Sequence, residues 1–176
     1  MAQHQKALPE GISFRPADPV RDFAYAYDLF RRCMEGPVAA LAGTWPETQR
    51  AFFWQGFNNP DTHMILHEGK PVGCFCVTET PQAVKLQRMY IEPEFQGQGI
   101  GREILALALE KAHEARKPLE LEVLITNTPA IAAYTKWGFT TFGETSYEWV
   151  REHKMRHRDT LAYATAPAPL APRAFG

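Results

Sequence analysis

The stretch EFQGQGIGRE, residues 94–103, places three glycines at alternate positions between a strand-like segment and a helix-like one, and no other part of the chain is as glycine-dense. Before it, VKLQRMYI alternates as a strand; after it, Ile104, Leu105, Ala108, Leu109, Ala112 and Ala115 form the apolar stripe of a helix that Pro118 stops. A strand that turns through glycines into a helix start is a standard place to hold phosphate. The N–H groups of a first helical turn lack intrahelical partners, and the helix dipole adds roughly half a positive charge there. Two nucleotide loops are excluded by the residues themselves. A Walker loop needs Lys-Ser or Lys-Thr after its last glycine, where this chain has Arg102-Glu103. A dinucleotide fold needs G-x-G-x-x-G after an early strand, whereas this pattern is G-x-G-x-G past mid-chain. A plain tight turn and a phosphate cradle both stay open from these residues alone.

The rest of the chain supplies one sheet with helices around it. Residues 12–15 read as a strand closed by Pro16 and Pro19, and residues 23–34 as a helix followed by a loop around Gly36, Pro37 and Gly43. The fragment TWPE fits a capping box, with Thr44 as N-cap and Glu47 reaching back, opening a second helix to about Phe57. Residues 64–67 and 71–79 pair across HEGK as a hairpin with Gly69 in its turn. Residues 119–125 form a further strand, and NTPAIAAYTKWGF holds a short helix that ends at Gly138 as an αL residue. Residues 140–150 and 153–158 make a last hairpin. The expected class is α/β (α+β), with residues 1–10 a flexible N-terminus, 11–160 one domain, and 161–176 an Ala/Pro-rich tail.

Composition narrows the partners. A chain of 176 residues with 45% hydrophobic content can bury one core, and a formal charge of −1 gives no global basic field for nucleic acid or anionic lipid. No stretch approaches the roughly 18 apolar residues of a membrane span, and residues 1–11 contain no apolar leader segment, so a cytoplasmic location is expected. Cys33, Cys74 and Cys76 make an odd set without a disulfide framework, and no His or Cys spacing suits a metal.

Two motifs in register carry a family resemblance. Gln96-x-x-Gly99-x-Gly101, preceded by Ile91-Glu92-Pro93, resembles the pyrophosphate loop of the GCN5-related N-acetyltransferases, the GNAT superfamily. Downstream, Asn127-x-x-Ala130-x-x-x-Tyr134-x-x-x-Gly138-Phe139 is similar to that family's second signature, at a distance that leaves room for one helix and one strand. The resemblance implies a GNAT fold: a mixed, mostly antiparallel sheet of six to seven strands with a splayed central parallel pair and about four helices. It implies acetyl-CoA as cosubstrate and no metal. The backbone of Met89, Tyr90 and Ile91 would pair with the pantetheine arm, and Gln96, Gly97, Gln98, Gly99, Ile100, Gly101 and Arg102 would wrap the pyrophosphate. Asn127 and Tyr134, about 10 Å apart along a helix axis, would hold the pantetheine and face the sulfur.

The reaction implied is direct attack of a primary amine on the thioester, with Tyr134 protonating the leaving thiolate. An alkylammonium of pKa near 10.4 is only about one part in a thousand neutral at pH 7.4, a cost on the order of 4 kcal/mol. Glu122 stands where ribosomal-protein acetyltransferases of the family carry a proposed base. It shares a strand face with Glu120, and the alternative is that one or both simply face solvent; Glu79, Glu92 or water are the substitutes. The expected acceptor is a small amine, amino acid or peptide; Phe30, Trp45, Phe53, Trp54, Tyr147 and Trp149 read either as its aromatic pocket or, more commonly for aromatics at helical spacing, as core, and Asp28 and Glu35 either as attractors of an amine or as a solvated helix face. A protein acetyltransferase and a non-catalytic acyl-CoA-binding module are the alternatives, and a homodimer is left open.

Overall fold

Alternate residues of neighbouring strands in this chain bury against different clusters, which puts helices on both faces of one sheet. Met64 and Cys74, paired across two strands, pack with Ala26, Phe30, Phe53 and Phe57. Their neighbours Ile65 and Phe75 pack in the cluster of Ile100, Ile104, Ala108 and Leu121. A period of two along a strand requires that split.

The computed structural model describes residues 8–164. In chain order the elements are β1 (Ile12–Pro16), α1 (Pro19–Ala42), α2 (Gln49–Phe57), β2 (Thr62–His67), β3 (Lys70–Glu79), β4 (Val84–Ile91), α3 (Ile100–Ala115), β5 (Leu119–Leu124), α4 (Thr128–Lys136), β6 (Phe139–Tyr147), β7 (Val150–His157) and α5 (Leu161–Ala164). The sheet has seven strands in the order β1-β2-β3-β4-β5-β7-β6. All its pairings are antiparallel except β4 with β5, which the helix α3 joins. The expected mixed sheet with a central parallel pair is therefore present, with five helices around it, the last a single turn. Of the tail from residue 161, α5 lies on α3 through a 3.0 Å contact between Tyr163 Oη and His113 Nδ1. Residues 165–176, like residues 1–7, lie outside the described residues.

Local chemistry explains most boundaries. Glu68 and Gly69 take φ of 48° and 80°, the two left-handed positions of a type I′ hairpin, as the HEGK turn requires. Asp18 caps α1, accepting from the N–H groups of Val20 and Arg21, and Pro19 fills the first turn, where its missing donor costs nothing. The buried Asp22 carboxylate accepts from both Arg15 Nη atoms, at 2.6 and 2.8 Å, and so ties β1 to α1.

Three boundaries differ from the sequence expectation. The helix expected over residues 23–34 runs through Pro37 to Ala42 and stops at Gly43 in the αL conformation. An interior proline costs about 3 kcal/mol. Burial of the next turn opposes that cost, because Val38 packs with Leu124 and Val150, and Thr126 Oγ1 donates to the Pro37 carbonyl at 2.7 Å. The Thr44–Glu47 capping box does not form. The helix α2 begins at Gln49 without a side-chain cap, and the preceding loop instead seats Trp45 on Phe30, with its indole N–H 3.3 Å from the Tyr27 hydroxyl. The last hairpin turns at Glu148 and Trp149 rather than after Val150, since Glu148 takes φ of 49° without any glycine to signal it.

Candidate active site

Strands β4 and β5 pair only at Val84 with Leu119 and Lys85 with Glu120, and then part. On the other side of β4 the cause is visible. Cys74 pairs with Tyr90 and Cys76 with Gln87, so Phe75 alone faces two residues, Arg88 and Met89. Arg88, with φ of 51°, is the bulged residue. A bulge bends its strand and increases its twist, which turns β4 away from β5. The apex is held by charge: Glu120 Oε2 accepts from Lys85 Nζ at 2.8 Å, and Oε1 from Arg156 Nε at 2.9 Å. This settles half of the Glu120 and Glu122 question, because Glu120 is buried in that network while Glu122 is exposed.

Beyond the apex lies a cleft of about 940 Å³, walled by β4 from Lys85 to Ile91, by β5, and by Asn127, Ala130 and Tyr134 of α4. Its β4 wall is an unpaired strand edge over Met89, Tyr90 and Ile91, since no residue of β5 pairs there. Met89 and Ile91 pack toward the α3 cluster, and Tyr90 toward Phe30 and Cys74 on the other face, where burial pushes its phenol well above the ordinary range.

At the open end, Gly97 and Gly99 adopt φ of 74° and 94°, and a Cβ on either would meet nothing within 4 Å. The N–H groups of residues 97–101 donate to no protein group among the described residues, while those of Arg102 and Glu103 return to the Gly99 carbonyl. This is a row of free donors on an exposed loop at a helix N-terminus. The side chains of Gln96 and Gln98 brace the loop, donating to the carbonyls of Ile91 and Glu94 at 2.8 and 2.6 Å. Ile100 is buried in the core, and Arg102 is exposed in the first turn. Gly101 serves packing rather than access: a Cβ there would stand 2.6 Å from the ring of Trp137, the C-cap of α4.

Asn127 caps α4, accepting from Ala130 N–H at 3.4 Å, and its Nδ2 lies 3.7 Å from Met34 Sδ of α1. Tyr134 lines the cleft with its ring edge-on to Trp137 and Phe139. Its hydroxyl has no hydrogen-bond partner among the described residues, and burial pushes its pKa up to about 12, so it holds its proton at neutral pH.

Other expected carboxylates are elsewhere. Glu92 accepts a two-pronged contact from Arg32, both at 2.8 Å, which with the Tyr25 hydroxyl holds it below the usual carboxylate range. Glu79 pairs with Lys117, and Asp28 and Glu35 pair with arginines on the exposed face of α1. Of the aromatic set, Phe30, Phe53 and Tyr147 reach the cleft; Trp45, Trp54 and Trp149 do not line it. Glu152, which no motif marks, does line it. The pairing of Leu124 with Glu152 and of Glu122 with Lys154 puts both acids on one face as diagonal neighbours. Burial and the Glu122 charge raise the pKa of Glu152. Its signal is absent from the sequence because β5 and β7 are brought together only by the sheet. Among the described residues no group of three or more His, Cys, Asp or Glu could hold a metal ion, and no helix is long and apolar enough to cross a membrane.

A parted parallel pair beside a bare helix N-terminus is the arrangement that the resemblance to the acetyltransferases implied. The chain belongs to the acetyltransferase (GNAT) family, whose sequence model matches residues 23–139. It is 30% identical over 110 residues to a Bacillus subtilis protein that carries the name ribosomal protein bS18-alanine N-acetyltransferase, covering 60% of this chain and 72% of that one. It is 29% identical over 143 residues to the mycothiol acetyltransferase of Streptomyces griseus, covering 78% of this chain but only 46% of the relative, so it spans less than half of that protein's length. The fold matches the Salmonella typhimurium YncA protein, solved with its cofactor acetyl-CoA, at a TM-score of 0.55 and 18% identity over 94% of this chain and all of the other.

Proposed function

We propose that this protein is an N-acetyltransferase that moves an acetyl group from acetyl-CoA to a primary amine by direct attack in a ternary complex. The observation that carries the reading is the parting of β4 from β5 after Lys85, which leaves an unpaired strand edge between a row of free N–H donors and the Tyr134 phenol. The main chain at Met89, Tyr90 and Ile91 pairs with the pantetheine amides as an added strand would. The N–H groups of residues 97–101 take the pyrophosphate, with Arg102 supplying positive charge beside it. Asn127, beyond its capping bond, has an amide N–H for the pantetheine. The amine nitrogen bonds to the acetyl carbon, the carbon–sulfur bond breaks, and Tyr134 gives its proton to the departing thiolate. Glu122 or Glu152 takes the ammonium proton, directly or through water, before attack, and the second proton lost by the nitrogen after attack returns to the Tyr134 phenolate.

Acetyl-CoA at a hundred times its Kd should stabilise the protein by about 2.7 kcal/mol, read as a melting temperature several degrees higher. No shift with acetyl-CoA or any longer acyl-CoA would falsify the cosubstrate assignment. A peptide α-amine as acceptor is the second reading, favoured by the likeness to the Bacillus subtilis protein.

Glu152→Gln should lower amine acetylation near pH 7 by about tenfold or more, with the acidic limb of the pH–rate profile moving. The same change should raise stability. An acid whose folded pKa is raised is favoured in its protonated form, and that contribution is lost as pH rises through the folded pKa. Glutamine keeps the neutral form, so its melting temperature should exceed wild type near pH 7 and match it below the ordinary glutamate pKa of about 4.3. Thermal melts across that range decide it; a lower melting temperature for E152Q at pH 7 would count against the burial strain.

A further inference from the structure

One cation in the cleft wall is answered by no carboxylate. Arg32 is paired with Asp28 and Glu92, and Lys85 with Glu120, but Arg88 makes no ion pair among the described residues. Its side chain gives a single hydrogen bond, Nη1 to Gln87 Oε1 at 3.0 Å, out of five N–H donors. A half-buried guanidinium without a counter-ion is unfavourable unless something else meets it.

The surroundings hold it there. Arg88 occupies the bulge at φ of 51°, a left-handed conformation that disfavours any residue but glycine, asparagine or aspartate. Its guanidinium lies on bare backbone of α2: a Cβ on Gly56 would fall 1.6 Å from Nη2 and 1.9 Å from Cζ, so any side chain at that position would evict it. This is the α1–α2 face of the sheet, whereas the free donors of residues 97–101 begin α3, which packs on the opposite face. The CoA phosphates are thus poor candidates for the missing anion. On the β5–β7 side of the cleft stand Glu122 and Glu152; Lys154 lies across the strand from Glu122 and acts on Glu152 through its charge, but it does not line the cleft and forms no salt bridge with either acid among the described residues. The cleft therefore has a cationic wall and an acidic wall on its acceptor side.

We infer that the acceptor is a primary amine that also carries a carboxylate, an amino-acid-class zwitterion, whose carboxylate Arg88 binds while its ammonium faces Glu122 and Glu152. The inference rests on the acetyl-transfer reading above and adds the substrate class to it. A guanidinium fork matches a carboxylate with two parallel N–H donors, and a neutral carboxamide forfeits the charge and one acceptor.

The test offers the full chain acetyl-CoA and a panel of amino acids, each beside its own carboxamide, together with short peptides whose α-amines lie far from any carboxylate, and reads released CoA thiol. Wild type should favour the acid over its amide by about 10- to 100-fold in kcat/KM, Arg88→Gln should collapse the ratio to about one, and Arg88→Lys should keep part of it. Equal or better turnover of amides or peptides by wild type overturns the inference without needing any variant, and so does an acid preference that survives in R88Q. These outcomes differ from failure of the underlying reading, in which acetyl-CoA produces no thermal shift with wild type.

Discussion

Tyr134→Phe is expected to lower kcat for amine acetylation by about 100-fold or more, with the melting temperature and the acetyl-CoA-induced shift kept near wild type. The ring makes its packing contacts edge-on with Trp137 and Phe139, and phenylalanine preserves both. Only the oxygen is lost, and that oxygen has no hydrogen-bond partner among the described residues, so its removal leaves no buried group unsatisfied. Burial pushes the phenol pKa up to about 12, which keeps the proton available to a thiolate across the neutral and mildly alkaline range. Tyr134 therefore contributes no alkaline fall in rate below about pH 10. A variant within a few fold of wild type in steady-state kcat, under conditions where chemistry limits turnover, would remove Tyr134 from the proton path.

Glu120→Gln is the largest expected stability loss, about 2–4 kcal/mol, or a melting temperature lower by about 5–15 °C. The carboxylate meets Lys85 of β4 and Arg156 of β7 across the apex where the parallel pair begins, and its side chain is only 10% exposed. Glutamine leaves two half-buried cations facing one another without the charge between them. Burial opposes ionisation of Glu120, but the Lys85 and Arg156 hydrogen bonds outweigh it and hold the pKa below the usual value. A depressed acid stabilises the fold fully above its unfolded pKa of about 4.3 and loses that contribution as pH falls toward the folded value. The gap between wild type and E120Q should therefore be widest near pH 7 and close on acidification. A gap independent of pH would assign the loss to packing rather than charge. Since the apex sets where β4 leaves β5, the acetyl-CoA KM should rise in the same variant.

Legibility in the sequence followed the range of the forces involved. The HEGK hairpin, the strand from Val84 to Ile91, and the helix that ends before Gly138 depend on residues a few positions apart, and each formed where alternation, turn residues and caps placed it. The capping box at Thr44 failed for a tertiary reason: Trp45 had a better place against Phe30 and Tyr27 than a helical turn would have given it. Pro37 misled in the same way, since a proline reads locally as a helix end and only the packing of Val38 on Leu124 and Val150 opposes it. Gly101 had the right identity and a different reason, a neighbour 36 positions away in the chain at Trp137.

By itself the sequence determined the residues to which we assign the donor: three glycines after a strand and before a helix, followed by Asn127 and Tyr134 two turns apart on the next helix. Those features are local because a helix N-terminus and a helical face are made within one element. The residues to which we assign the acceptor were brought together only by the tertiary structure. The bulge at Arg88 arises from the register of β4 against β3, the clearance for its guanidinium from a glycine on α2, and the adjacency of Glu122 and Glu152 from the pairing of β5 with β7. Each depends on strands and helices distant in sequence meeting in space, and no periodicity within any one of them records the meeting.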